Sequence, residues 1–418
     1  MTTDMLLNTV GFTPTRKAGH ERLANFVPNA GARYRNERNF DYGPNDRANV
    51  SALSPWVRHR LITEQEIAET VLAHYALGSV EKFIQEVLWR TYWKGWLELR
   101  PSVFTAYETG RNDALDAMAA NRGLQNAYDE AVSGRTGIDC FDAWATELVE
   151  TGYLHNHARM WFASIWIFTL RLDWHLGADF FLRHLMDGDA ASNTLSWRWV
   201  AGLQTRGKHY VARASNIEKF TNGRFSPKGL NENASPLDDE GYGPPATLAP
   251  ADRLDATKPT FVIITDDDCA LEQRLPKTLQ VAGATTLSSA AATSPLPMGE
   301  RASAFKQGAL NDAATRFGKA YTCCVDPLDP TSLADAVAQS GAQQVLIPWP
   351  TAGISRIHCA PIIAQLRRKR HSVVEWRDPW DDRAWPYATK GFFPFKEKIP
   401  RLLVDAGLDL AAKQRARS

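Results

Sequence analysis

The chain has 418 residues, of which 44% are hydrophobic and 23% are charged; this composition is typical of a globular protein, and the length predicts two domains. Its formal charge of +1 excludes a global attraction to polyanions, so any nucleic-acid contact must come from a local basic patch. No run of about twenty apolar residues is present, the first residues lack a signal-peptide core, and the five cysteines form no CxxC pair. We therefore expect a reduced cytoplasmic protein without a membrane span or a metal site.

The first 225 residues predict a mostly helical domain. Helical periodicity covers four runs, 62–77, 80–99, 141–149 and 154–172. Thr63 and Glu66 have the spacing of a capping box at the start of the first run, and the second run stops before Pro101. The last run is apolar on most sides, so we expect that helix to be buried.

The pattern changes in the second half of the chain. Residues 226–259 are rich in proline and polar residues and predict a linker. Beyond this segment, short β-branched runs alternate with helical ones: the predicted strands are 260–265, 344–347 and 372–376, and the predicted helices are 304–317, 332–340 and 361–369. This alternation is typical of parallel βα units, so we expect a small doubly wound α/β domain over 260–410.

The most informative stretch lies in the helical part and contains two segments, TGYLHNHARM (151–160) and MDGDAASNTLSWRW (186–199). They place charged and amide side chains beside tryptophans in an apolar, mostly helical frame. Polar groups of this kind are able to hold a bulky cofactor, and indoles are oxidisable. Taken alone, Arg159 and Asp187 are equally well explained as a structural salt bridge.

Both segments resemble the flavin-binding domain of the DNA photolyase/cryptochrome family, whose motifs read TG-aromatic-x-HN-x-x-RM and DGD-x-A-x-N-x-x-x-W-x-W. The likeness runs without gaps over residues 137–199, and it implies FAD as the cofactor. It also implies that Arg159 and Asp187 form an ion pair beside the isoalloxazine ring, which stabilises negative charge on the reduced ring. Asp189 is then expected to contact the adenosine or the ring edge, and Asn193 to face flavin N5.

Two upstream segments extend the likeness. NVSALSPW (49–56) resembles the family's TSxLS element, which implies a pyrophosphate contact by Ser51, Leu53 and Ser54, although Val50 stands where the family prefers threonine. An N-cap at Ser51 or Ser54 explains the same spacing. Further upstream, Tyr34 is expected to pack on the cofactor, with extra residues between it and this element.

FIQEVLWRTYWKG (83–95) resembles the family's x-L-x-E-L-x-W-R-E-F-Y. The spacing puts Glu86, Trp89 and Arg90 on one helical face. A solvated salt bridge beside a core tryptophan is the alternative explanation. The resemblance implies that Glu86 and Trp89 line a substrate cavity and that Arg90 contacts the flavin side.

The resemblance further implies a cavity for a flipped-out cyclobutane pyrimidine dimer in UV-damaged DNA. The expected catalytic residues are Glu86, Trp89, Asn156, Met160 and Trp199, and Asn156 is also expected to contact the cofactor. Met160 is typical of the cyclobutane-dimer branch, because the (6–4) branch carries histidine there. His157 replaces the arginine that dimer-repairing relatives usually have, so a titratable group stands where a permanent charge is expected.

Trp197 and Trp174 match the inner two members of the family's electron-transfer chain. Asn121 stands at the position of the outermost tryptophan, which puts the usual route of electron supply in doubt. Trp166 and Tyr128 are the alternative residues for the role of that outermost tryptophan in electron supply.

A basic run follows the second motif. Residues 198–228 hold seven basic residues against Glu218, and such a run is either a solvated surface or a phosphate-binding one. The DNA-binding residues that we predict are Arg198, Arg206, Lys208 and Arg213. The segment TRGKHYVARASNI (205–217) replaces the family's usual PYFR-x-F-NP ending, so the rim of the cavity differs from that of the family.

The C-terminal segment RAWPYATKGFFPFKEKIPRLL (383–403) is similar to the segment that closes the family's α/β antenna domain. The chain would then hold the same two modules in permuted order, with the antenna domain last. An antenna chromophore is left open, and its identity is not specified by the sequence. The leading hypothesis is a light-driven dimer-repair lyase; the alternatives are a cryptochrome-like photoreceptor and a flavin-holding scaffold without photochemistry.

Overall fold

The computed structural model describes residues 11–410; residues 1–10, at the start of the predicted helical domain, and residues 411–418 lie outside the described part of the chain. A helical part is followed by a small parallel sheet with helices, which confirms the predicted fold class. Within the described range, no helix combines the length and the apolar character needed to cross a membrane.

The helical part extends to Phe220. Its helices, in chain order, are α1 (Arg16–Phe26), α2 (Ala32–Glu37), α3 (Ser54–Arg58), α4 (Glu64–Leu72), α5 (Leu77–Glu98), α6 (Ser102–Ala120), α7 (Arg122–Val132), α8 (Asp139–Thr151), α9 (Asn156–Ser164), α10 (Trp174–His184), α11 (Ala190–Ala201) and α12 (Ala214–Phe220). A five-residue π-helical turn, Ile165–Thr169, continues α9. All four predicted helical runs are therefore helical, with bounds shifted by a few residues.

Local chemistry explains where the helices that carry the two motifs begin and end. Thr63 and Glu66 form the predicted capping box of α4. Asp189 caps α11 by accepting a hydrogen bond from the backbone N–H of Ser192. Gly152 ends α8 at φ +69°, a left-handed conformation that glycine adopts without steric cost. Both motifs are thus presented at helix termini.

The α/β part contains four parallel strands in the order β2-β1-β3-β4. The strands are β1 (Thr260–Thr265), β2 (Val281–Leu287), β3 (Gln344–Pro348) and β4 (Val373–Trp376), and the helices are α13 (Glu300–Tyr321), α14 (Leu333–Gln339), α15 (Ile354–Arg368), α16 (Pro379–Ala384), α17 (Phe392–Lys396) and α18 (Ile399–Asp405). β1 and β3 are buried along their whole length, as expected of central parallel strands.

Two features of this part differ from the prediction. β2 was not predicted, because its residues VAGATTL lack a continuous apolar run and its first half is only partly buried at the edge of the sheet. The helix predicted over 361–369 begins at Ile354 and carries Pro361 in its interior. Proline usually marks the first turn of a helix, and that preference misled the prediction of where the helix begins.

The two parts share one apolar core, in which residues such as Trp96 and Leu88 belong to the same cluster as Phe305 and Phe395. A smaller cluster around Ile263 and Val345 lies inside the α/β part. Residues 226–259 contain no described helix or strand. Because the packing is continuous across both parts, the division at this segment into separate domains stays a prediction.

Buried charges also join the two parts. Arg58 pairs with Asp267, just beyond β1, and its Nε donates a hydrogen bond to the carbonyl oxygen of Gly188 over 2.7 Å. Arg60, at φ +48°, pairs with Asp381 of α16. The α/β part is therefore tied directly to the turn that separates Asp187 from Asp189.

Candidate functional site

The centre of the site is the ion pair between α9 and the turn before α11. Arg159 Nη2 donates to Asp187 Oδ2 over 2.9 Å, and the Asp187 side chain is only 2% exposed. Burial by itself would raise the pKa of Asp187, but Arg159, Arg90 and a hydrogen bond from Ser54 together lower it. Asp187 is therefore a buried carboxylate, and its ion pair makes Arg159 a fixed cation beside the motif loop.

A second pair lies alongside the first. Arg90 Nη1 of α5 is 3.6 Å from Asp189 Oδ2. Burial opposes ionisation of Asp189, whereas Arg90, Lys94 and Arg58 lower its pKa. Asp189 thus has two roles. It caps α11, and its carboxylate lies among these three cationic side chains at the boundary with the α/β part.

Asn193 is buried one turn into α11. Its Nδ2 donates to the carbonyl oxygen of Ala178 on α10 over 2.8 Å, which fixes the orientation of the amide. Asn193 and Asp189 lie on the same helix and Asp187 precedes it, so these three predicted residues share one short segment. An amide held in this way presents its remaining polar atoms in a constant direction.

The predicted phosphate loop precedes α3. Leu53 holds the N-cap position of α3 without a side-chain hydrogen bond, so neither Ser51 nor Ser54 caps this helix. Ala52 adopts φ +50°, a conformation that costs a non-glycine residue free energy. Arg22, which the sequence analysis missed, donates from Nε to the carbonyl oxygen of Ser51 over 2.8 Å. This strained loop with a guanidinium against it is suited to an anionic group.

Tyr34, the remaining predicted cofactor contact, is buried between Phe26 and Phe83, with ring centroids 5.8 and 5.2 Å away in edge-on geometry. The packing makes Tyr34 part of the apolar wall formed by α2 and α5.

Unsatisfied polar atoms test whether this region fits a cofactor. Asp187 Oδ1, Arg90 Nη1 and Ser192 Oγ are buried and have no hydrogen-bond partner within residues 11–410. Native proteins rarely leave buried polar atoms unpaired, and these three lie in or beside the two motif segments. The residues present therefore fit a ligand that supplies both donors and acceptors, as FAD does.

The predicted substrate-cavity residues lie on α5, α9 and α11 and are together called the open face; α11 packs against both of the other helices. The predicted substrate-cavity residues reach solvent to different degrees: Trp199 is 36% exposed, the Glu86 side chain is 39% exposed, Asn156 is exposed, and Met160 and Trp89 are half-buried. Partial burial raises the pKa of Glu86, and Arg38, 3.7 Å away, opposes that shift. Asn156 lies against Met160, with Nδ2 3.9 Å from the sulfur.

The two tryptophans of the open face, Trp199 and Trp89, stack on different partners. Trp199 stacks on Tyr210 with ring centroids 5.7 Å apart. Trp89 stacks on Phe392 of α17 with ring centroids 3.6 Å apart and an interplanar angle of 12°. The sequence analysis did not predict a role for Phe392 or Arg38. No local pattern signals the Phe392 contact, because about 300 residues separate the two rings.

His157 is half-buried in the motif loop. Its Nδ1 donates to the carbonyl oxygen of Asn39 over 2.7 Å, and its ring stacks on Trp161. Burial lowers the pKa of His157 despite that hydrogen bond. The position at which relatives usually carry arginine is therefore neutral near pH 7 in this chain.

The tryptophans form a network behind the site. Trp197 is buried, and its ring contacts are with Trp166 (6.3 Å, 88°) and Phe181 (5.1 Å, 82°). Trp166 in turn meets Tyr128 edge-on at 6.0 Å.

Trp174, the other predicted electron-transfer residue, contacts Tyr107 and His175. Asn121 caps α7 through hydrogen bonds from the backbone N–H groups of Gly123 and Leu124. The asparagine at the position of the missing tryptophan thus has a structural role.

The four predicted DNA-binding residues differ in accessibility. Arg206, Lys208 and Arg213 are exposed, although Arg206 pairs with Asp238 over 3.1 Å. Arg198 is buried and pairs with Asp239 over 2.8 Å. Since its guanidinium is already neutralised inside the protein, Arg198 does not belong to a phosphate-binding surface.

Side chains from both parts of the chain meet at the carboxyl ends of the parallel strands. In doubly wound folds, ligands bind beyond the carboxyl ends of the strands where the strand order reverses, which here is between β1 and β3. Arg58 of the helical part pairs there with Asp267, and Thr351 donates to the same carboxylate over 2.9 Å. The cavity that these residues line has room for about one water molecule.

Comparison with known proteins supports the resemblance carried by the two motifs. Residues 83–229 match the family model described as the FAD binding domain of DNA photolyase. This stretch of the helical part is therefore similar to the flavin-binding domain of the DNA photolyase/cryptochrome family. The matched residues carry Glu86, Arg159, Asp187 and Asn193, so the photolyase-type domain includes the centre of the site.

Curated relatives agree with that assignment. The chain is 30% identical over 216 residues to the deoxyribodipyrimidine photo-lyase of Synechococcus sp., covering 50% of this chain and 43% of that protein. It is 31% identical over 215 residues to the Escherichia coli deoxyribodipyrimidine photo-lyase (49% and 42%). It is 35% identical over 156 residues to that of Streptomyces griseus (37% and 33%). The chain thus spans less than half the length of these relatives.

Among solved structures, the chain is similar to a class III photolyase from Agrobacterium tumefaciens, with 27% identity, a TM-score of 0.41 and coverage of 50% of this chain and 43% of that one.

Among residues 11–410, no group of three or more His, Cys, Asp or Glu side chains is arranged to hold a metal ion.

Proposed function

We propose that the chain is a light-driven, FAD-dependent lyase that repairs cyclobutane pyrimidine dimers in UV-damaged DNA by single-electron transfer. Relatives that are 30–35% identical are named deoxyribodipyrimidine photo-lyase, and they support this assignment. The observation that carries the proposal is the combination of a buried ion pair, Arg159–Asp187, with an adjoining open face that keeps Glu86, Trp89 and Trp199.

The cofactor is assigned to the buried side of the site. Arg159 and Asp187 would hold the ring edge, Asn193 would contact the redox-active part of the ring, and Ser51 with Ser54 and Arg22 would hold the pyrophosphate. A reduced flavin, when bound, supplies one electron on absorbing light and takes it back after the two cyclobutane bonds have broken. The cation of Arg159 favours negative charge on the ring, and its ion pair with Asp187 keeps that cation in place.

The dimer is assigned to the open face. The indoles of Trp89 and Trp199 provide aromatic surfaces for an unstacked dimer. Glu86 and Asn156 hydrogen-bond the edges of its bases. Stacking of Phe392 on Trp89 fixes the orientation of one wall before the lesion arrives.

A cryptochrome-like photoreceptor is the second candidate, because it requires the same cofactor and nearby indoles. The open face favours repair over signalling, since a photoreceptor has no need to keep Glu86, Asn156, Met160 and an exposed Trp199 together. The buried tryptophans are compatible with either candidate, so the open face is the feature that separates them.

Illumination of the reduced protein tests the proposal. An oligonucleotide with a single thymine dimer is mixed with the protein under blue light, and the remaining dimer is quantified by chromatography. We expect light-dependent loss of the dimer in the wild type, a lower yield in Glu86→Gln with flavin still bound, and a normal yield in Glu69→Gln, a control on the surface of α4. Unchanged dimer content in the illuminated wild type would overturn the proposal.

A further inference from the structure

Phe393 is the most exposed of the large apolar side chains along residues 11–410, with 79% of its surface accessible. Its neighbours Phe392 and Phe395 are buried. An aromatic ring left in water in this way gains free energy when a flat partner covers it. Its location is specific, because Phe392 is the residue whose ring stacks on Trp89 of the open face.

The helix that carries Phe393 is held firmly against α5. Besides the Phe392–Trp89 stack, the Phe395 ring lies 5.4 Å from that of Tyr92, and the Tyr92 hydroxyl donates to the carbonyl oxygen of Lys390 over 2.8 Å. Phe393 is therefore presented in a fixed position beside the open face. A partner that covers this ring does not have to order the backbone that carries it.

The charges around Phe393 favour an anionic partner. Residues 389–403 contain four basic residues, Lys390, Lys396, Lys398 and Arg401, against Glu397. Lys390 and Lys398 are exposed, whereas Lys396 pairs with Glu81 of α5 over 3.3 Å and Arg401 pairs with Asp405 over 3.5 Å. Exposed lysines thus flank the exposed ring in sequence, and proteins that bind single-stranded nucleic acid without sequence preference combine aromatic rings with positive charge.

We propose that Phe393, with Lys390 and Lys398, forms a second nucleic-acid contact on the C-terminal part of the chain. An unpaired base stacks on the Phe393 ring, and the two lysines contact phosphates of the same strand. This contact extends the proposed function, since it engages the strand beside the face that receives the dimer. It does not require flavin, light or a lesion.

Binding of undamaged DNA in the dark tests the contact. Fluorescence anisotropy of a labelled oligothymidine and of a labelled duplex is measured with the full chain. Phe393→Ala is expected to weaken single-strand binding by roughly five- to 150-fold and to leave duplex binding unchanged. Phe393→Trp is expected to restore it. The matched control is Val404→Ala on the neighbouring helix, which removes another exposed apolar side chain (55% exposed) and should bind like the wild type.

The contribution of the lysines is measured separately, through the salt dependence of binding. Lys398→Glu is expected to weaken binding and to lower the slope of log affinity against log salt by about one. Equal single-strand affinity of Phe393→Ala and the wild type, or no single-strand binding by the wild type, would overturn the proposal. A wild-type dimer that Phe393→Ala dissociates in sedimentation would also overturn it, because the ring would then serve a second copy. A failure to repair pyrimidine dimers in the illumination assay leaves these binding results unaffected, so the two proposals fail separately.

Discussion

The indole rings of Trp166 and Trp197 meet edge to face, with centroids 6.3 Å apart. Trp197 lies in the same segment, 186–199, as Asp187 and Asn193, and Trp166 continues the contact to Tyr128. The predicted partner of Trp197 was Trp174, whose ring contacts are with Tyr107 and His175. We therefore predict that single electrons reach the site through Trp166.

Substitution of Trp166 tests this route. Because single-electron transfer slows steeply with distance, Trp166→Phe should slow photoreduction of the bound flavin more than Trp174→Phe does. The measurement is the loss of oxidised-flavin absorbance under blue light with a thiol reductant. A normal rate in Trp166→Phe together with a blocked reaction in Trp174→Phe would show that the electrons follow the other path.

Asp187→Asn is expected to weaken FAD binding. The substitution keeps the shape of the side chain but removes the charge that holds Arg159. A hydrogen bond to a charged group contributes about 1.5–3 kcal/mol, so the affinity should fall by roughly ten- to a hundred-fold. Flavin fluorescence titration measures the change, with Asp113→Asn on the exposed side of α6 as the control. Equal affinities in all three proteins would mean that the ion pair does not contact the cofactor.

His155 is expected to make the protein sensitive to acid. Its Nδ1 accepts from the backbone N–H of His157 over 3.1 Å, and its Nε2 donates to the carbonyl oxygen of Arg38 over 3.0 Å. These partners require the neutral ring, and burial lowers the pKa of His155 to about 4. The folded-state pKa lies below the unfolded value of about 6.5. The stability from this group is therefore present above pH 6.5 and lost as the pH falls towards 4.

The loss attributable to His155 is up to about 3 kcal/mol. Urea unfolding between pH 7.5 and pH 4.5 measures it, and His155→Gln should flatten the dependence of the unfolding free energy on pH. An identical slope in the wild type and the variant would show that other groups cause the acid sensitivity.

The sequence predicted the elements that depend on local signals. The capping box of Thr63 and Glu66 and the continuous apolar run of β1 were both read correctly, because each is decided by residues within a few positions of one another. β2 was missed, since an edge strand of small residues has no such signal. The contact of Phe392 with Trp89 and the pairing of Arg22 with the Ser51 loop are tertiary and leave no pattern in one sequence.

Arg58→Met is expected to destabilise the whole chain. Arg58 is buried and pairs with Asp267 across the boundary between the two parts. Its removal leaves a buried carboxylate without its partner, a change that costs about 3–5 kcal/mol. The double variant Arg58→Met with Asp267→Leu should recover much of this loss. Urea unfolding compares the three proteins; a single variant as stable as the wild type would show that the pair does not hold the two parts together.

The FAD content of the protein tests the central claim most directly. The full chain is reconstituted with FAD, freed of unbound flavin, denatured, and the released dinucleotide is quantified by chromatography. Because Arg159, Asp187 and Asn193 lie together beside buried polar atoms that lack partners, we expect close to one FAD per chain. A correctly folded protein that releases no flavin after this treatment would contradict the account.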